Sequence, residues 1–166
     1  MVNYRSPSPT QVTALQKIKE WQNVDRSVFE TEIFPAGQPA VLRGLLCDWP
    51  SAQAGQQSQS MAVDYFKRMD VGGRVTAIVS PPEANGRFFY TDDFEGFNFG
   101  SKDVSISAAM DTFVELAEDP QPPGLALQAL DLPNIMPQFT RDNPMPLLDS
   151  DIAPRMWMSN RSTIAT

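Results

Sequence analysis

The chain has 166 residues, 42% hydrophobic and 20% charged, enough for one globular domain that buries roughly 70% of its unfolded surface. Its net charge is −7, from 13 basic and 20 acidic residues with no basic stripe, which argues against unspecific DNA binding. It contains no histidine and a single cysteine, Cys47, which excludes His-dependent triads, His-type zinc sites, the two-histidine-one-carboxylate iron site and internal disulfides.

No apolar run approaches the ~18 residues of a membrane span, and the N-terminus has no signal core. With one cysteine, a reducing cytoplasmic setting is the expectation. Fifteen prolines disfavour a helical bundle and favour a loop-rich fold with strands.

Ser8-Pro9 opens the first predicted element. Val12, Leu15, Ile18 and Trp21 recur at three-residue spacing, which predicts an amphipathic helix over residues 9–22. Ser27 is a candidate cap for a shorter helix through Glu30 to Phe34. The apolar run at residues 39–44 reads as a buried strand. Trp49, beside Pro50, is placed in a core. The small, polar residues 51–59 read as a mobile loop. Ser60 then starts a helix with a stripe of Val63, Phe66 and Met69, ended by Gly72-Gly73. Residues 74–79 read as a strand, broken at Ser80-Pro81-Pro82.

Residues 86–99 hold five of the ten phenylalanines and one of the three tyrosines. They read as a strand at 87–90, a turn at 91–93 and a second extended piece at 97–99. Ser105 or Ser107 caps a helix with Met110, Phe113, Val114 and Ala117 on its apolar face, ended by Glu118-Asp119-Pro120. Residues 125–128 read as a strand. Residues 132–154 read as an irregular connector anchored by Met136, Phe139 and Met145. Residues 155–158 form a last clear strand, and 162–166 look like the start of another. Met156 and Met158 share one face of the former, and Trp157 takes the other. Trp49, Trp157 and Phe97 are read as core, Cys47 as a small buried hydrophobe and Asn160 as a turn residue. No repeat, low-complexity segment or domain boundary is visible.

The ordered set Pro39-Ala-Val-Leu-Arg-Gly44, Asp48-Trp49-Pro50, Gly86-Arg-Phe-Phe-Tyr-Thr-Asp-Asp93, Gly96-Phe-Asn-Phe99 and Trp157-Met-Ser-Asn160, with helices between, resembles the cupin-like JmjC proteins. These are iron(II)- and 2-oxoglutarate-dependent oxygenases. The resemblance implies an α+β chain: the N-terminal helical and strand portion of a cupin-like double-stranded β-helix (jelly roll), its barrel incomplete. It covers residues 1–166 as one partial domain. In that family, the segment resembling residues 157–166 runs directly into a His-x-Asp pair of iron ligands. Thr166 would then be the last residue before the first ligand.

By the same resemblance, Tyr90, Asp92 and Gln128 are candidate substrate contacts, matching residues of an asparaginyl hydroxylase in the family. Thr163 and Thr166 are candidate 2-oxoglutarate contacts. Each also has a plainer reading: a half-buried strand tyrosine, a turn carboxylate, strand threonines. A family tyrosine that bonds 2-oxoglutarate is replaced here by Ala126. Iron(II) and 2-oxoglutarate belong to the full-length family, and this chain has no metal ligand set of its own for them. The implied function is the N-terminal portion of an oxygenase that hydroxylates a protein, peptide or RNA group, inactive as the isolated chain. The alternative is a metal-free cupin-like binding or scaffolding module. A homodimer is compatible with either, and no membrane partner is expected.

Overall fold

The computed structural model describes residues 17–164. The fold divides into two compact units, Met1–Leu45 and Leu46–Thr166.

In the first unit, β1 (Lys19–Gln22) pairs in parallel with β2 (Ala40–Arg43), and Glu20 and Arg43 form a two-pronged exposed ion pair across them. The helix expected over residues 9–22 is thus corrected at its end: Lys19–Gln22 is a strand, and residues 9–16 lie outside the described ones. Pairing with Ala40–Arg43 overrides the local three-residue spacing, and Lys19 sits 3.4 Å over the Trp21 ring instead of one helical turn away. The connection is helical: α1 (Arg26–Val28), a π-helical stretch (Phe29–Ile33) and α2 (Phe34–Ala36). Asp25, not Ser27, caps it, its carboxylate accepting from Val28 N–H at 2.8 Å. Pro35 has no N–H to donate, and the turn before it is widened so that Phe34 N–H reaches Phe29 C=O.

The second unit holds a four-stranded antiparallel sheet in the order β4-β3-β5-β6: β3 is Val75–Ser80, β4 Gly100–Val104, β5 Gly124–Asp131 and β6 Arg155–Ser159. Helices α3 (Pro50–Gln57), α4 (Gln59–Met69), α5 (Ile106–Glu115), α6 (Leu132–Ile135) and α7 (Pro137–Asp142) complete it. One sheet face is closed: Ala77, Leu125, Leu127 and Leu130 join Tyr65, Ile106, Met110, Met136 and Phe139 in one buried cluster, with Met156 and Met158 packed against it. The two methionines share that face, as the alternation along the strand required.

Several expectations are corrected here. Residues 51–59 are not a mobile loop, because Pro50 takes the first position of α3 and Ala54 enters the core. The Ser51 N–H and hydroxyl both donate to the Asn143 side-chain oxygen, at 3.1 and 2.7 Å. Trp49 is half-buried; its indole N–H donates to Pro144 C=O at 2.8 Å and ties the chain before α3 to the segment after α7. The connector after residue 132 contains two short helices, and Met145 is exposed while Met136 and Phe139 are buried. Cys47 is exposed. The polar strand β4 was not foreseen. No helix among the described residues is long and apolar enough to cross a membrane.

Candidate functional site

The other face of the sheet is open. It forms the floor of a groove of about 560 Å³, contributed by Ile78 of β3, Ala126 and Gln128 of β5, and Trp157 of β6. The wall is the 88–99 segment, through Phe88, Phe89, Tyr90, Phe97 and Phe99. Thr163 and Ile164 close the far end.

The wall is built by side chains that replace a regular ladder. The strand expected over 87–90 reduces to isolated bridges, Arg87 to Ile164 and Tyr90 to Phe97. Asn98 supplies the missing bonds: its side-chain oxygen accepts from Phe89 N–H at 2.8 Å, its amide donates to Arg87 C=O at 3.0 Å, and its own N–H donates to Phe89 C=O at 2.8 Å. The tip, residues 91–96, does form a turn. Thr91 N–H donates to Gly96 C=O at 2.9 Å, and Phe94 N–H to Thr91 C=O at 2.9 Å, with Phe94 at φ +61°. Asp93 caps the turn by accepting from the Thr91 hydroxyl at 2.5 Å and Glu95 N–H at 3.1 Å. Those bonds, the Thr91 hydroxyl first, hold the Asp93 carboxyl below its ordinary range.

The rings are ordered by stacking. Tyr90 and Phe97 centroids lie 5.1 Å apart and Phe97 and Phe99 4.9 Å apart, while Phe88 meets Phe99 edge-on at 5.5 Å. Phe97 and Trp157, read as core from sequence, are 58% and 64% exposed and line the groove. The reason is the open face: no second layer covers the side of the sheet opposite α4 and α5 among the described residues.

The floor carries a bulge. Leu127 pairs with Met158 and Leu130 with Met156, so β5 spends one residue more than β6, and Ala129 takes a left-handed φ of +50°. Gln128 sits in this bulge and faces the groove with Trp157 across from it. Bulges beside sites re-aim side chains in this way.

The far end is set by Asn160, which opens a turn, as expected, its C=O accepting from Thr163 N–H at 3.1 Å, and is buried as well. Its N–H donates to Leu125 C=O at 3.0 Å, its side-chain oxygen accepts from Leu125 N–H at 3.1 Å, and its amide donates to Pro123 C=O at 2.8 Å. The Thr163 hydroxyl donates to the same side-chain oxygen at 2.7 Å. Ile164 N–H then donates to Gly86 C=O at 2.8 Å, which swings the chain over the groove.

The structure thus brings Tyr90, Gln128 and Thr163 to one groove. Asp92 is an exposed tip residue outside the lining, and Thr166 lies outside the described residues. Trp157 and Phe97 were missed as groove residues. The signal that could have found them was the opposition of Trp157 to the two core methionines on β6.

The donor chemistry of these residues bears on an iron site. The sequence has no histidine, and among the described residues no three of Cys, Asp and Glu converge as a metal-binding group. Among the described residues no lysine or arginine lines the groove to meet a 2-oxoglutarate carboxylate, and the Thr163 hydroxyl is already engaged. The residues present do not fit either group. What they can do is hold an apolar or aromatic-binding segment against an amide and a tyrosyl hydroxyl.

No curated protein matches the chain. The sequence model of the cupin-like domain family matches residues 26–166, which span all six strands but β1 and run to the groove's far end. The fold is α+β, with no sheet among the described residues closed into a barrel, consistent with an incomplete jelly roll. This chain belongs to the cupin-like domain family.

Proposed function

We propose that this chain forms the substrate-holding wall of an iron(II)- and 2-oxoglutarate-dependent oxygenase acting on a protein, peptide or RNA group. The metal ligands would come from polypeptide that this sequence does not contain. The observation that carries the reading is the open, aromatic-walled face of the sheet, with Tyr90 and Gln128 directed into one groove. An enclosed core would have no use for so much exposed aromatic surface. Membership of the cupin-like family supports the reading. Within it, Tyr90 and Gln128 contact substrate, and Asp92 approaches it from the tip.

The test is the coding sequence beyond Thr166. A His-x-Asp or His-x-Glu pair at its start is expected, and the polypeptide carrying it should release succinate from 2-oxoglutarate with iron(II). Without that pair the enzyme reading fails, and a metal-free binding module remains. In the extended protein, Tyr90→Ala should raise the KM for the prime substrate roughly tenfold. Substrate-independent succinate release should stay unchanged. A Tyr90→Ala effect on that background release would show that the residue does not act through substrate.

A further inference from the structure

The turn before the aromatic wall holds a reactive pair. Of the seven asparagines, Asn85 is followed by glycine and the other six by bulkier residues. Asparagine is thermally labile, and a following residue without a Cβ leaves its own nitrogen free to attack the side-chain amide. Asn85 is exposed, and with Gly86 it lines a small groove of about 260 Å³ beside Pro120 and Ser162. The Gly86 N–H makes no hydrogen bond among the described residues, so its nitrogen is not otherwise engaged.

The fold keeps the two groups apart. Asn85 sits in the left-handed region, at φ 49° and ψ 42°, where it ends the tight helical turn Pro82–Ala84. Ring closure requires the Gly86 nitrogen to line up with Cβ about the Asn85 Cα–C bond, and at this ψ it lies nearly opposite. The Asn85 amide is held back as well, donating to Glu83 C=O at 3.0 Å. Turning ψ swings the peptide that leads into Gly86, and two bonds resist that swing. Arg87 N–H donates to Ala84 C=O at 3.1 Å, and Ile164 N–H donates to Gly86 C=O at 2.8 Å. The second bond latches the 160–164 segment across the turn.

We propose that Asn85-Gly86 is a self-modification site restrained by this latch, and that its deamidation fixes the far end of the aromatic groove open. The Gly86 nitrogen gives up its proton and bonds to Asn85 Cγ. The Cγ–Nδ2 bond breaks, and ammonia leaves with that proton. Water then opens the succinimide, at Cγ to give aspartate or at the main-chain carbonyl to give isoaspartate. The isoaspartyl chain is one methylene longer directly before Gly86. The crossing has no slack for it, since even a Cβ on Gly86 would collide with the Ser162 carbonyl. The latch therefore does not re-form, and the change runs one way. It does not depend on what the groove binds.

The experiment ages the chain in mildly alkaline buffer and maps its peptides by mass spectrometry, scoring the one-dalton gain and the isoaspartyl fragments. Asn85 should react ahead of the other asparagines, slowly in the folded chain and faster in urea. Ile164→Pro removes the donor to Gly86 and should speed the folded-state reaction about fivefold, the share of the opening equilibrium that one hydrogen bond controls. Thr163→Val removes the hydroxyl that donates to the Asn160 side chain at 2.7 Å, so it loosens the same segment and should act in the same direction. In the isoaspartyl chain the Ile164 amide should lose its protection from hydrogen exchange. Asn85→Asp adds the charge without the methylene and should keep that protection. An Asn85 no faster than the other asparagines in urea would overturn the site. A folded-state rate unmoved by both variants would overturn the latch. An isoaspartyl chain with Ile164 still protected, or an Asn85→Asp chain that loses protection equally, would overturn the opening.

Discussion

Gly86 shows how one residue decides the shape of the groove. It lies at φ +76°, and a Cβ built there would stand 1.7 Å from the Ser162 carbonyl oxygen. The same glycine accepts from Ile164 N–H, so the chain that closes the groove crosses directly over it. Gly86→Ala therefore combines left-handed strain with a backbone clash that no rotamer can relieve, and should cost at least about 2 kcal/mol. Gly72 is the control. It has φ +81° but open space around its Cβ position, so Gly72→Ala should cost only about 1 kcal/mol. Urea midpoints of the two variants check the contrast. If they match, the crossing of Ser162 over Gly86 is not a rigid feature in solution. The sequence marks both glycines equally; only the crossing strand, brought in from 76 residues away in the chain, separates them.

The helices are joined by a carboxylate. Asp70 follows the last turn of α4 and accepts from Gly72 N–H at 2.8 Å through one oxygen and from Ser107 N–H at 2.8 Å through the other. Ser107 is in the first turn of α5, where Ser105 already caps Ala108 N–H at 3.1 Å, so Asp70 satisfies a second orphan donor there. Burial raises the Asp70 carboxyl, but the Ser107 and Gly72 hydrogen bonds outweigh it, and the net direction is down. A carboxyl held low in the folded state stabilises it fully above the ordinary carboxylate range and loses that contribution as pH falls through the folded value. Asp70→Asn should cost roughly 1–2 kcal/mol at neutral pH, since one N–H loses its acceptor. The difference from the parent chain should shrink as the pH drops below about 4. A constant difference across the acid limb of denaturation curves would show that the charge plays no part. Elements of this kind were legible where pattern and packing agree. The stripe Val63, Phe66, Met69 marked α4, although the side chain it buries deepest is Tyr65, whose hydroxyl accepts from the Asn143 amide at 2.8 Å. Helix α3 was not legible, because its single core residue, Ala54, leaves no periodic stripe. Strand β4 was not legible either: Gly-Ser-Lys-Asp-Val has little strand preference and is extended because β3 offers it a backbone partner.

At the scale of the whole second unit, the sheet has one closed face, one open face and, at β6, an edge beside apolar surface. The aromatic density at residues 86–99 announced that a core or a pocket was being built, and the alternation on β6 announced two faces. Neither could say which face would be covered, because that depends on what packs from elsewhere in the chain; hence Trp157 and Phe97 were placed on the wrong side of the divide. The edge follows from the same geometry. Among the described residues β6 has β5 as its one neighbour, and beyond it lies a second apolar groove of about 520 Å³ lined by Val63, Phe66, Met110, Phe113 and the strand itself. An uncovered edge beside apolar surface is a template for another strand. The free chain should self-associate with rising concentration in sedimentation velocity. The remedy is specified by the register. Asn160 N–H donates to Leu125 C=O, so alternation along β6 turns the Ser159 N–H away from β5. Ser159→Pro removes that outward donor without touching the β5 ladder, and should shift the chain toward monomer with its cooperative unfolding intact. A parent chain that stays monomeric throughout, or a Ser159→Pro variant that associates as before, would show that the β6 edge is covered in solution by something other than a second copy.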